Sequence, residues 1–174
     1  MDAGCEDVEG YNSDITRCWS LSADSSSSKL HSDLYEALVE THANLIKTLR
    51  GTPGVSLDQL FTIMCSALGK ILIEFGAISK SASPNEASRM AFHFCPHHVS
   101  HYLGLDVHDT PSVSRNIPLR PGMAFTLEPG LYFRSDDACV KDQFKGIGMR
   151  VEDDLLIDSN GQIIVLTEKC KRIN

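Results

Sequence analysis

No two of the six cysteines stand as a C-x-x-C pair, which excludes the zinc fingers and dithiol redox motifs built on that spacing. Scattered thiols of this kind argue for buried cysteines in a reducing compartment rather than a disulfide framework. Runs of lysine and arginine are also missing. With a net charge of −7 the chain has no basic stripe to neutralise phosphates, so nucleic acid is excluded as a partner. No apolar stretch has the length needed to cross a bilayer, so no membrane partner is expected. The first residues, Met1-Asp2-Ala3-Gly4-Cys5-Glu6, have neither the basic amphipathic pattern of a transit peptide nor an apolar signal core. What remains is ordinary for one soluble domain: 174 residues, 42% hydrophobic and 22% charged.

Histidine is unevenly spread. Residues 95–109 hold four of the seven, His97, His98, His101 and His108, and end in Asp109. Neutral imidazole is the commonest metal ligand and proton shuttle near neutral pH, so the cluster suggests a site. A polar loop with incidental histidines is the alternative.

The flanking pattern supplies elements. Residues 2–18 read as two short strands around a turn near Gly10, and the return can bring Asp14 near Asp2. Two strand-end aspartates in solvent are the plain alternative. The serine-rich stretch 20–28 reads as a flexible connector. Helices are expected over 32–50, from Leu34, Leu38, Leu45, Ile46 and Leu49, and over 57–75, opened by a capping box at Ser56. Residues 77–94 read as a polar loop over 79–85 with a short helical turn. Strands follow at 123–127, running into Glu128-Pro129-Gly130, and at 147–157, which turns at Asn160-Gly161 and returns through 163–166.

Two acids stand out. Glu128 closes an apolar strand, where a carboxylate is costly to desolvate unless partnered. Glu152 and Arg150 are two residues apart and share one strand face. A surface ion pair between them would contribute little to stability.

Taken in order, Asp2-Ala3-Gly4-Cys5-Glu6, Ser13-Asp14-Ile15-Thr16-Arg17, Ser100-His101-Tyr102-Leu103-Gly104-Leu105-Asp106-Val107-His108-Asp109, Glu128-Pro129-Gly130-Leu131-Tyr132 and Arg150-Val151-Glu152-Asp153-Asp154 resemble the pita-bread metallopeptidases. The wording is closest to their aminopeptidase P branch, and Cys95-Pro96-His97-His98 resembles its mitochondrial-type members. The resemblance implies an α+β fold: the C-terminal part of a pita bread, a curved, mostly antiparallel sheet with helices on its outer face. It implies a two-metal site held by Asp2, Asp14, His101, Glu128 and Glu152, with Asp14 and Glu152 bridging the ions and Glu128 also acting as general base. His97 and His108 match catalytic, substrate-orienting histidines, and Tyr132 and Arg150 match supporting substrate-binding positions. Four carboxylates balance two divalent ions, and mostly oxygen ligation with one imidazole suits Mn2+. The implied reaction is hydrolysis of an N-terminal Xaa-Pro bond in peptides. The resemblance also implies a mitochondrial location, with the cytoplasm as the alternative, and a homodimer is compatible with it.

The chain departs from the pattern twice. Asp14 follows Asp2 by 12 residues, one more than the family pattern leads one to expect, and the hairpin turn is the expected home of the extra residue. Asp2 also lies at the start of the chain, whereas the family ligand lies well inside a catalytic domain. Residues 1–174 are therefore expected to form a partial catalytic domain with exposed sheet edges. A prolidase restricted to dipeptides is the rival within enzymes, and a non-catalytic protein-binding module of the same fold is the rival outside them.

Overall fold

Alternation along two strand runs sets the layers of this protein. Phe125, Leu127, Leu131 and Phe133 from one run, and Met149, Val151, Leu155 and Ile157 from the other, are buried in one hydrophobic cluster with the helices. Between them, Thr126, Glu128 and Tyr132 and then Arg150, Glu152 and Asp154 occupy the opposite face, as the two-residue period of a strand requires. One face of the sheet is thus greasy and covered, the other polar.

The structure, a computed structural model, describes residues 1–19 and 27–170. The elements are β1 (Asp2–Ala3), β2 (Ile15–Thr16), α1 (Ser27–Gly51), α2 (Leu57–Glu74), α3 (Pro84–Phe94), β3 (Ala124–Leu127), β4 (Gly130–Tyr132), a short 3-10 turn (Asp142–Phe144), β5 (Gly148–Arg150), β6 (Asp153–Ile157) and β7 (Ile163–Val165). The connector expected at 20–28 lies largely outside the described residues; its last two positions already belong to α1.

Strand pairing is antiparallel throughout. β3 pairs with β6 and β4 with β5, in one register that continues across the gap between them. That register sets Glu128 directly opposite Glu152. The expected single strand over 147–157 is therefore corrected to two, interrupted at Val151-Glu152. Pro129 explains the break: it has no N–H to give the Val151 carbonyl opposite it, so only the return bond of that pair forms, from Val151 N–H to the Pro129 carbonyl at 3.2 Å. Residues 99–103 run along the free side of β3, with Thr126 N–H on the His101 carbonyl (2.9 Å) and Glu128 N–H on that of Val99 (2.8 Å). On the other side, Glu152 N–H meets the Thr16 carbonyl at 3.1 Å, and β2 pairs outward with β1. β7 continues that side along β6. β1 is an exposed sheet edge, as expected.

The β1–β2 hairpin keeps one register from Asp2↔Thr16 out to Glu6↔Asn12. Asp7 closes the loop: its N–H meets the Tyr11 carbonyl at 2.9 Å and its carboxylate takes the Glu9 and Tyr11 N–H groups. Gly10, at φ +89°, completes a turn that favours glycine. The extra residue thus sits at the tip and the ladder carries no bulge.

Two further expectations are corrected. The polar stretch 79–85 is only partly loop. Ser83 caps α3 in a full capping box with Glu86, and Pro84 stands at its first position, a favoured start. All six cysteines are free, but Cys5, Cys139 and Cys170 are exposed, so buried thiols describe only Cys65 and Cys95.

Candidate metal centre

The neighbouring strands and the segments at 14–16 and 99–103, each one lane of this polar face, bring ligand-type side chains together there. His101 donates its Nδ1 proton to the Tyr102 carbonyl at 3.1 Å, which leaves the Nε2 lone pair free. That nitrogen lies 3.5 Å from Asp14 Oδ2 and 3.7 Å from Glu128 Oε1. Glu152, opposite Glu128, accepts the Thr16 hydroxyl at 2.6 Å and lies 3.5 Å from Arg150 Nε. Asp14, His101 and Glu152 each offer a ligand atom within 4.8 Å of the other two. Four of the five expected ligands are therefore together. Asp2 stands at the rim, more than half exposed, with its carboxylate hydrogen-bonded by Arg150 Nη2. Its lane is the outermost, and the guanidinium, anchored on Thr16 Oγ1 at 2.9 Å, reaches across to it.

Electrostatics ask for cations here. Burial pushes Glu128 up to about 8, reinforced by the facing Glu152 charge. Burial also raises Glu152 to about 7, against the pull of its Thr16 hydrogen bond. Asp14 is raised by burial and then by Asp2. His101 is held below its ordinary value by burial, so it is a neutral ligand. Arg150 touches the carboxylates of this cluster through Asp2 and Glu152, and its single charge cannot balance them. Carboxylates directly across a strand pair repel, whereas divalent ions between them would convert that repulsion into ligation. Oxygen-rich donors with one free imidazole nitrogen fit such ions.

The remaining candidates flank the cluster. His97 gives its Nδ1 proton to the His98 carbonyl at 2.8 Å, so Nε2 accepts the Tyr132 hydroxyl at 2.9 Å. The same ring lies 3.7 Å from Glu128. Tyr132 can lie this way because residue 130 is glycine: a Cβ there would come within 2.5 Å of the Tyr132 oxygen. His108 is exposed and stands edge-on to His101, with ring centres 4.4 Å apart. A cleft of about 390 Å³ over residues 132–136 and 146–148 touches the site only through Tyr132.

Sequence reasoning passed over several supporting groups. Asp154, buried, takes the Asp14 backbone N–H on both carboxylate oxygens at 3.0 and 3.3 Å. Thr126 receives the His101 N–H at 3.1 Å. Two-residue spacing from Glu128 and Glu152 put both on the polar face, which was the available signal.

The profile of metallopeptidase family M24 matches residues 1–159. The chain belongs to that family. It is 38% identical to human Xaa-Pro aminopeptidase 3 over 174 residues, covering 100% of this chain and 33% of that protein. It is 37% identical to the Arabidopsis thaliana mitochondrial intermediate cleaving peptidase 55, over 99% of this chain and 32% of the relative. Among solved structures, zinc-substituted Escherichia coli aminopeptidase P in complex with product superposes with a TM-score of 0.83 at 32% identity, over 99% of this chain and 38% of that one. The chain thus spans about a third of the length of the curated relatives it matches. This M24 chain has the α+β, pita-bread architecture expected of it, and the family implies divalent metal ions.

Proposed function

We propose that this M24 chain carries the centre of a dinuclear metallo-aminopeptidase that releases the N-terminal residue of peptides with proline in second position. One observation carries the reading: Asp14, Glu152, Glu128 and His101 come from four neighbouring extended segments, joined by strand pairing, isolated bridges and single backbone hydrogen bonds, and meet on one polar face. In this reading residues 1–174 form part of a catalytic domain. Asp2, Asp14, His101, Glu128 and Glu152 hold the ions, and Mn2+ is the metal that suits them. Bound divalent ions would supply Lewis acidity toward a carbonyl and toward water.

The chain's own groups do the rest. Glu128 is half-buried beside His101 and His97, where its carboxylate can take a proton and pass it to the leaving amine. The Tyr132–His97 hydrogen bond fixes the imidazole against that carboxylate. His108, exposed beside His101, is positioned to donate to a substrate carbonyl. Proline suits the second position because it brings no amide N–H that the pocket must satisfy. Likeness to a relative named as mitochondrial supports a mitochondrial location.

The test is hydrolysis of an Xaa-Pro-Xaa tripeptide by the Mn2+-loaded protein, with the Xaa-Pro dipeptide alongside. Glu128→Gln is expected to lower kcat by about 10²–10⁴-fold, the range for a lost general acid–base. Full activity in that variant would remove Glu128 from the chemistry, and cleavage of the dipeptide alone would make the protein a prolidase.

A further inference from the structure

Away from the sheet lanes, a second group of ligand-type side chains meets between α3 and the loop after β4. His93 Nε2, from the last turn of α3, lies 2.5 Å from Asp137 Oδ2. Cys139 Sγ completes a set whose ligand atoms all fall within 4.8 Å of one another. We propose that His93, Asp137 and Cys139 form a second metal site, suited to a thiophilic divalent ion of the Zn2+ class and independent of the oxygen-rich centre.

Three features favour an ion over a plain ion pair. First, the ligand atoms are already gathered. Bonds of about 2.0–2.3 Å to tetrahedral Zn2+ separate ligand atoms by roughly 3.3–3.8 Å. His93 Nε2 and Asp137 Oδ2 lie closer than that, at 2.5 Å, and Cys139 Sγ lies within 4.8 Å of both, so an ion would enter by parting the His93–Asp137 contact through side-chain rotation. Second, the backbone is already set. Asp137 Oδ1 takes the Cys139 N–H at 2.8 Å, which turns the cysteine back toward the acid. The loop is anchored by buried Val140 and by Lys141 Nζ on the Gly76 carbonyl at 2.5 Å. Ligands fixed in advance lose little freedom on binding. Third, neighbouring charges are accounted for: Arg134 holds Asp136, and Lys145 holds Asp142. Asp137 is left to His93, and it lies below the ordinary carboxylate range because the Cys139 N–H and His93 favour its charged form.

Nitrogen, oxygen and sulfur together select a thiophilic ion, whereas the sheet centre offers no thiolate among its ligands. Binding replaces the Cys139 thiol proton, which leaves to solvent, and exposure of His93 and Cys139 keeps a fourth position open to water. An ion here would tie the loop, and with it one wall of the cleft at residues 132–136, to α3.

The test uses the full chain, its sheet centre first saturated with Mn2+, then titrated with Co2+ as a spectroscopic stand-in for Zn2+. The expected result is a near-ultraviolet thiolate-to-cobalt charge-transfer band that saturates at one equivalent. Cys139→Ser should abolish the band and Cys139→His should restore ion binding without it. His93→Gln should weaken Co2+ binding by at least about tenfold, while Glu152→Gln should leave the band intact. Absence of the band in the unmodified chain, or its survival in Cys139→Ser, would overturn the proposal.

Discussion

Tyr132 shows how one hydroxyl is held for the site. Its ring lies over Gly130, and its O–H donates to His97 Nε2 at 2.9 Å. Burial pushes the phenol up to about 12, so it remains a donor across the physiological range. Tyr132→Phe keeps the ring and removes the proton, leaving His97 Nε2 with only the Cys95 thiol at 3.5 Å. The expected cost is about 1 kcal/mol, the net worth of one intramolecular hydrogen bond, read from the urea midpoint. Gly130→Ala should cost more, because its Cβ displaces the ring itself. If the two variants lose the same amount, the packing over Gly130 is not what orients the tyrosine.

At the scale of elements, α2 and α3 meet through Gly69. A Cβ there would lie 2.9 Å from the Ala87 carbonyl carbon, and backbone cannot swing aside as a side chain can. Alanine gains about 1 kcal/mol of helix propensity, but overpacking costs about 1–3 kcal/mol. Gly69→Ala is therefore expected to be net destabilising by denaturant unfolding; a stabilised variant would show that the helices are free to separate. Ser83→Ala should cost about 1 kcal/mol through loss of the α3 cap. That cap was legible: Ser83-Pro84-Asn85-Glu86 is a capping box with proline at its start, obscured only by the polar run around it. The break between β5 and β6 was not legible, because its cause, Pro129, lies across the sheet rather than along the strand. The same division runs through the site. Asp14, His101, Glu128 and Glu152 could be read from local wording, since each sits in a short motif. The grip of Asp154 on the Asp14 N–H, and of Arg150 on Asp2, joins residues 140 and 148 positions apart and exists only once the strands are paired.

For the whole molecule, the polar face makes stability a function of pH and of divalent ions together. Glu128 and Glu152 titrate in the folded, metal-free chain near 8 and 7, well above an unfolded glutamate at 4.5. The folded state therefore binds more protons than the unfolded state between those values, and stability falls as pH rises through them. His97, His98 and His101 have the opposite sign: burial holds each below 6.5, so the unfolded chain binds the extra protons and stability rises as pH climbs toward 6.5. The carboxylate effect is thus cleanest from about pH 6.5 to 8. In chelator the melting temperature should fall across that window. With excess Mn2+ it should hold or rise, because ions displace the shared protons and bind more tightly as pH increases. Ion at 100 times its Kd adds about 2.7 kcal/mol. Glu128→Gln supplies the control: with one of the two facing charges removed, the chelated protein should become more stable at pH 8 and lose most of its response to Mn2+. A melting temperature in chelator that stays flat over this window, in a protein that also ignores Mn2+, would mean that the facing glutamates are solvated rather than gathered around a cation site.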